Sequence, residues 1–173
     1  MVTYYKVAGG SEPSTYSWGI ADPDRATGGI IRYTGVNTSD PIDDHSGNTG
    51  NTGNTDDPLA LSTTTTQTND RVIAFFGVEA EETFSTPSGT TERYDLTNSN
   101  NNGPAAAAFD FTQVSAGATG DKESDNNGSD SDRWVAQQIA LKVVPPPLPS
   151  GTIVIVKNAI PDDAQDFTFT SNI

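Results

Sequence analysis

Apolar residues in this chain recur at every second position, in short runs, and almost nowhere at helical spacing. Tyr16, Trp18 and Ile20 alternate with Ser17 and Gly19. That period of two places one set of side chains on one face of an extended segment, as on a half-buried strand. Residues 29–33 (GIIRY) and 71–76 (RVIAFF) are short runs rich in β-branched and aromatic side chains, the second apolar on both faces. Residues 91–96 and 107–113 (AAFDFTQ) add two more, with Phe109 and Phe111 on one face. The longest run is 134–144. Val135, Ile139, Leu141 and Val143 all fall on odd positions, which suits a strand, although Val135, Ile139 and Val143 alone would also fit a helix. Residues 1–8 read as a strand from the first position.

Long polar stretches separate these runs: 37–57 (NTSDPIDDHSGNTGNTGNTDD), 61–69, 98–103 and 120–132. They draw on a composition of 23 Thr, 15 Ser, 13 Asn, 16 Gly and 11 Pro. Such segments bury too little apolar surface to offset their own ordering entropy, so they read as loops. Seven short strand runs joined by polar loops predict an all-β fold, a jelly-roll-like antiparallel β-sandwich with no helix.

Several functions are excluded early. Without Cys the chain has no disulfide framework, thiolate metal site or cysteine nucleophile, and its one His rules out a multi-histidine centre. A net charge of −14 argues against nucleic acid as a partner, since phosphate binding needs clustered Lys and Arg. No apolar run approaches the roughly 20 residues that span a bilayer as a helix. The first residues also lack the basic start and apolar stretch of a secretory signal. The expectation is that the numbering starts inside a longer chain, the alternative being a signal already removed.

Pro145-Pro146-Pro147-Leu148-Pro149-Ser150 is the clearest boundary. A proline run lacks amide donors and favours a semi-rigid extended spacer. It divides the chain into a sandwich at 1–144, a linker at 145–150 and an extended segment at 151–173. In that last segment Ile153, Val154, Ile155 and Val156 are apolar on both faces, and Phe167 and Phe169 alternate with polar neighbours. It is too short to make a core alone.

The segments TYYKVAGGSEPSTYSW, GGIIRYTGVNTSDPID, RVIAFFGVEA, TERYDL, SAGATGDKES and WVAQQIALK, in this order over residues 1–143, resemble a jelly-roll β-sandwich domain. That domain recurs in bacterial secreted and surface proteins and in phage tail-associated proteins. The tail GTIVIVKNAIPDDAQDFTFTSNI is similar to the first two strands of a prealbumin-like surface module. The resemblance implies an extracellular or cell-surface protein with a structural or adhesive role. It also implies that strands are missing before residue 3 and left over after residue 150. A sandwich short of an edge strand exposes unpaired backbone groups, which an extended segment of a neighbour can complete. Because donor and acceptor differ, such contacts run head to tail and build an open homopolymer.

Candidate chemistry is sparse. No nucleophile elbow and no phosphate-binding glycine loop occurs, and no enzyme is expected. His45 follows Asp43 and Asp44, a neighbourhood that reads as a solvated polar loop. Asp121, Glu123, Asp125, Asp130 and Asp132 crowd one loop, and Asp40, Asp43, Asp44, Asp56 and Asp57 another. Oxygen-rich loops suit hard cations, so Asp121, Asp125, Asp130 and Asp132 are candidate Ca2+ ligands, against solvated charge as the simpler reading. Asn37 and Asn127 head Asn-x-Ser/Thr triplets and are candidate carriers of covalent glycans. Tyr4, Tyr5, Tyr16, Trp18, Tyr33, Tyr94 and Trp134 sit in strand runs, where core packing is expected over a sugar-binding platform.

Taken together these features predict a filament or pilus-like structural subunit. Ile153, Val154, Ile155 and Val156 would enter a neighbouring subunit, with Phe167 and Phe169 beside them. The alternatives are a carbohydrate-binding or adhesive module of a larger surface or tail protein, an excerpt that does not polymerise, and complementation within one chain.

Overall fold

The computed structural model describes residues 1–20, 25–51, 57–98, 103–125 and 132–144. Among them are nine strands and no helix: β1 Ile42–Asn51, β2 Leu59–Ala60, β3 Thr64–Thr65, β4 Asp70–Val78, β5 Thr91–Thr97, β6 Ala105–Gln113, β7 Gly117–Ala118, β8 Lys122–Glu123 and β9 Arg133–Leu141. The protein is all-β. Five strands form one antiparallel sheet in the order β1-β9-β4-β6-β5, and two two-stranded ladders, β2-β8 and β3-β7, complete the set.

The runs at 71–76, 91–96, 107–113 and 134–144 all become strands of the large sheet, and the last is a strand rather than a helix. β4 and β6 pair from Asp70↔Gln113 to Val78↔Ala105, and β4 and β9 from Arg71↔Leu141 to Val78↔Trp134. These registers bring Val72, Ala74, Phe76 and Val78 onto one face with Ala105, Ala107 and Phe109 of β6 and Trp134, Ala136 and Ala140 of β9. Ala60, Ala80 and Phe84 cover this face. Phe76 meets Phe109 edge-on at 5.8 Å and Phe84 at 6.1 Å, distances at which aromatic pairs attract beyond simple burial. The many alanines let the covering segments approach the sheet closely around these rings.

In the middle of this apolar face lies a fully buried amide, Gln138. Its Nε2 donates to the carbonyls of Ala60 (3.0 Å) and Gly120 (2.9 Å), and its Oε1 accepts from Thr119 Oγ1 at 2.8 Å. One side chain thus ties the central sheet to the β2 segment and to the β7-β8 connection.

The polar stretch 37–57, expected as loop, contains the edge strand β1. β1 pairs with β9 from Ile42↔Leu141 to Asn51↔Arg133. Its inward positions carry polar groups that bond to the covering backbone. Ser46 Oγ donates to Leu61 O, Asn48 Nδ2 donates to Leu59 O at 3.1 Å, and Asp44 Oδ2 accepts from Thr64 N at 2.8 Å. At Gly50 a Cβ would lie 2.5 Å from the Trp134 ring, so only glycine lets that indole pack against the strand. The short strands β3 and β8 likewise form inside stretches expected as loop.

The opposite correction applies to the N-terminal quarter. Residues 1–8, 16–20 and 29–33, all expected as strands, belong to no strand. This segment crosses the other face of the large sheet. Thr3 Oγ1 donates to Gln137 Oε1 at 2.8 Å, Met1 Sδ lies 3.8 Å from the Cβ position of Gly77, and Asn98 Nδ2 donates to Ala26 O at 3.1 Å. A chain that lies across the face of a sheet cannot ladder with it, because the sheet's backbone groups already point sideways to neighbouring strands. Among its described residues, only Val36 makes an isolated bridge, to Val143.

Replacing Gln138 with Ala should cost about 2–4 kcal/mol, since it opens a void and strands buried carbonyls and a hydroxyl. Urea denaturation followed by circular dichroism measures this. Thr112→Ala, at an exposed position of β6, should change stability by less than about 0.5 kcal/mol.

Candidate interaction surface

The arm formed by residues 1–20 carries the largest exposed apolar side chains described. Tyr4 is 73% exposed, Tyr5 68% and Trp18 65%, with Val2, Val7, Tyr16 and Ile20 also in solvent. The core role expected for Tyr4, Tyr5, Tyr16 and Trp18 is therefore wrong. Alternation divides a strand into two faces, but burying one of them needs a sheet to receive it. Tyr33 and Tyr94 are half-buried, and Trp134 is buried as expected.

The arm is folded back on itself. Tyr4 and Trp18 stack at 6.2 Å with their planes 25° apart. Glu12 organises the turn by accepting from Lys6 Nζ (2.7 Å), from Gly9 N (2.6 Å) and from Tyr16 OH. The Lys6 ammonium, then the Tyr16 hydroxyl and the Gly9 amide, hold the Glu12 carboxyl down at about 2. Lys6 also sits 5.6 Å from the centre of the Tyr16 ring, within cation–π range.

Two buried carboxylates, neither singled out in the sequence, anchor the body of the sheet. Asp110 is paired with Ile73 in register, on the arm-facing side of the sheet. Arg93 grips it with Nε and a terminal nitrogen, both at 2.7 Å, Tyr33 OH donates at 2.7 Å, and Arg71 lies at 3.6 Å. Burial works to raise the Asp110 carboxyl, but the Arg93 and Tyr33 donors outweigh it and hold it below its ordinary range. Burial, reinforced by the bond to Asp110, pushes the Tyr33 phenol up. Tyr33 thereby pins the end of the N-terminal segment to β6.

The second is Asp70, fully buried at the start of β4. Its Oδ1 accepts from Gln67 Nε2 at 2.7 Å, while Oδ2 has no N–H or neutral hydroxyl donor. Its carboxyl neighbour is Asp43, placed inward by a bulge between Ile42 and Asp44. Asp43 accepts from the Thr66 amide and hydroxyl, with Lys142 Nζ 3.9 Å away and itself bonded to Asp40 at 2.6 Å. Burial, then the contact with Asp43, raises the Asp70 carboxyl to about 6, whereas the Thr66 donors and Lys142 overcome burial and keep Asp43 low. Below about pH 6 protonation of Asp70 is therefore favoured, because burial and the neighbouring Asp43 disfavour its charged form.

The other candidates are scattered. Asp121 accepts from Ser62 N at 2.7 Å, and the Asp125 amide donates to Ser85 Oγ at 2.9 Å. Asp132 precedes β9, and Asp130 lies outside the described residues. Among the described residues no group of three or more His, Asp or Glu could hold a metal ion. Asn37 Oδ1 caps a turn by accepting from Ser39 N (3.0 Å) and Asp40 N (3.2 Å). His45 is exposed on β1. Asn127, Ile153, Val154, Ile155, Val156, Phe167 and Phe169 lie outside the described residues, as does the linker at 145–150.

The Asp43–Asp70 pair makes stability pH-dependent. Asp70 binds its proton more tightly folded than unfolded, so its contribution is complete below about pH 4 and is lost as pH rises through about 6. Asp70→Asn, which cannot ionise, should therefore close or reverse the stability gap to the parent chain between pH 4.5 and pH 7.5. The change should be of order 1–3 kcal/mol by denaturant titration. A gap independent of pH would contradict the raised Asp70 carboxyl. No protein-family model matches this sequence, and no curated protein and no solved structure gives a significant match.

Proposed function

We propose that the protein is a structural subunit of an extracellular filament or pilus-like fibre, joined head to tail by strand complementation between identical chains. One observation carries this reading. Residues 1–20 have strand-like alternation, hold no place in a ladder, and leave Tyr4, Tyr5, Trp18 and Ile20 in solvent. Exposed apolar groups of this size mark a surface that is covered in its working state. The same sequence carries a second strand-like segment, with Ile153, Val154, Ile155 and Val156 apolar on both faces. A chain with one uncovered apolar surface and one surplus apolar strand has the parts for a self-propagating contact.

The remaining properties suit that setting. Without Cys, cohesion rests on burial and backbone pairing. Thr, Ser and Asn on the loops, with a charge of −14, keep subunits soluble before assembly, and glycans on Asn37 and Asn127 would add to this coat. Among the described residues no helix is long and apolar enough to cross a membrane.

A second reading, a carbohydrate-binding module, draws on the stacked and exposed Tyr4 and Trp18 rings. It requires glycan binding by the monomer, which an array of immobilised glycans measures.

The filament reading is tested on the full chain by light scattering and negative-stain microscopy. The parent chain should form fibres, and Ile153→Asp with Ile155→Asp should leave subunits of 18.2 kDa. Fibres of unchanged length from that double variant would sink the proposal.

A further inference from the structure

We infer that the acceptor for the donor segment is the N-terminal arm, with residues 152–156 of a second copy docking on the patch formed by Tyr4, Trp18 and Ile20. This rests on the filament reading and adds the location of the receiving surface.

Three observations lead to the arm. The first is exposure: Tyr4, Trp18 and Ile20 are each more than half exposed, whereas the large apolar residues of the large sheet, apart from Leu96 at its β5 edge, are buried or half-buried. The second is unused backbone. Among the described residues, no backbone–backbone hydrogen bond outside the strands involves residues 1–20, so apart from the Gly9 amide, which Glu12 takes, their backbone groups are open to an added strand. The third is order. Glu12 holds Lys6, Gly9 and Tyr16 together, and the Tyr4–Trp18 stack closes the arm, so the patch is shaped before a partner arrives.

The occupant follows from where the chain leaves the body. Val144 N donates to Gly35 O at 2.8 Å, and residues 145–173 follow. The arm's anchor, Thr3 on Gln137, lies back along β9, about 3.3 Å per residue away from that exit. Val144, Pro145, Pro146 and Leu148 each precede a proline, and a residue before proline avoids the helical region that a tight reversal needs. Proline-rich sequence in general favours extended chain, about 3.1 Å per residue. It favours delivery of Ile153 and Ile155 to another copy over return to the arm of the same chain. Charge does not oppose the docking, because residues 152–156 carry none.

The test uses two full-chain variants, separately and mixed. The acceptor variant carries Tyr4→Ser and Trp18→Ser; the donor variant carries Ile153→Asp and Ile155→Asp. The acceptor substitutions lie at exposed positions, so its melting temperature should stay within about 3 °C of the donor variant's. Light scattering should find each variant alone at 18.2 kDa. Mixed in equal amounts they should form a species of twice that mass, because one intact arm and one intact tail allow a single contact. An acceptor variant that still forms fibres would overturn the arm as acceptor, and the filament reading would stand if the donor variant stays monomeric. A mixture that remains monomeric would overturn it as well. Fibres from the donor variant would overturn both readings. Should the double acceptor variant misfold, Trp18→Ser alone is read in the same mixture.

Discussion

The fold depends on one buried amide. The sheet's inner face is built from alanines and a few aromatic rings, and such a surface packs equally well in many positions. Gln138 removes that freedom. Its three bonds, to Ala60, Gly120 and Thr119, can be made together only when both covering segments sit in one register over β9. An unpaired amide in an apolar layer is costly, so any slip of the layers is penalised by more than lost contact. Apolar burial supplies the drive to collapse, and this residue supplies the alignment.

The same logic explains the polar edge strand. β1 has no apolar face to bury, yet it joins the sheet over its full length. Asp44, Ser46 and Asn48 satisfy backbone groups of the covering segment that no strand reaches, and Asp43 does the same for Thr66. Burial of Asp70 beside Asp43 disfavours two adjacent charges and raises the Asp70 carboxyl. The edge is therefore held by hydrogen bonds where the centre is held by apolar packing, and it is the more sensitive of the two to pH.

On the other side of the sheet the protein is less closed. Asp110, gripped by Arg93 and Tyr33, fixes the end of the N-terminal segment, while residues 1–20 extend beyond it with their rings in solvent. Strand-like sequence without a strand partner is an unfinished contact. In the proposed filament a neighbouring chain finishes it, and assembly replaces the ladder that the single subunit lacks.

The sequence by itself determined the class of fold and the central strands. The continuous apolar run at 71–76 and the alternation at 107–113 and 134–144 survive any arrangement of neighbours, because these runs are apolar enough to be buried wherever they pair. Nothing comparable marked β1, whose DHSGNTG pattern is indistinguishable from a loop until β9 lies beside it and Gly50 makes room for Trp134. Asp70 and Asp110 were equally hidden, since a carboxylate's burial depends on residues distant in sequence: Asp43 for the first, Arg93 and Tyr33 for the second. The arm shows the converse. Its alternation was legible, but whether an alternating segment becomes a strand depends on a free sheet edge. Only the tertiary structure decides that, because backbone pairing is a property of two segments and never of one.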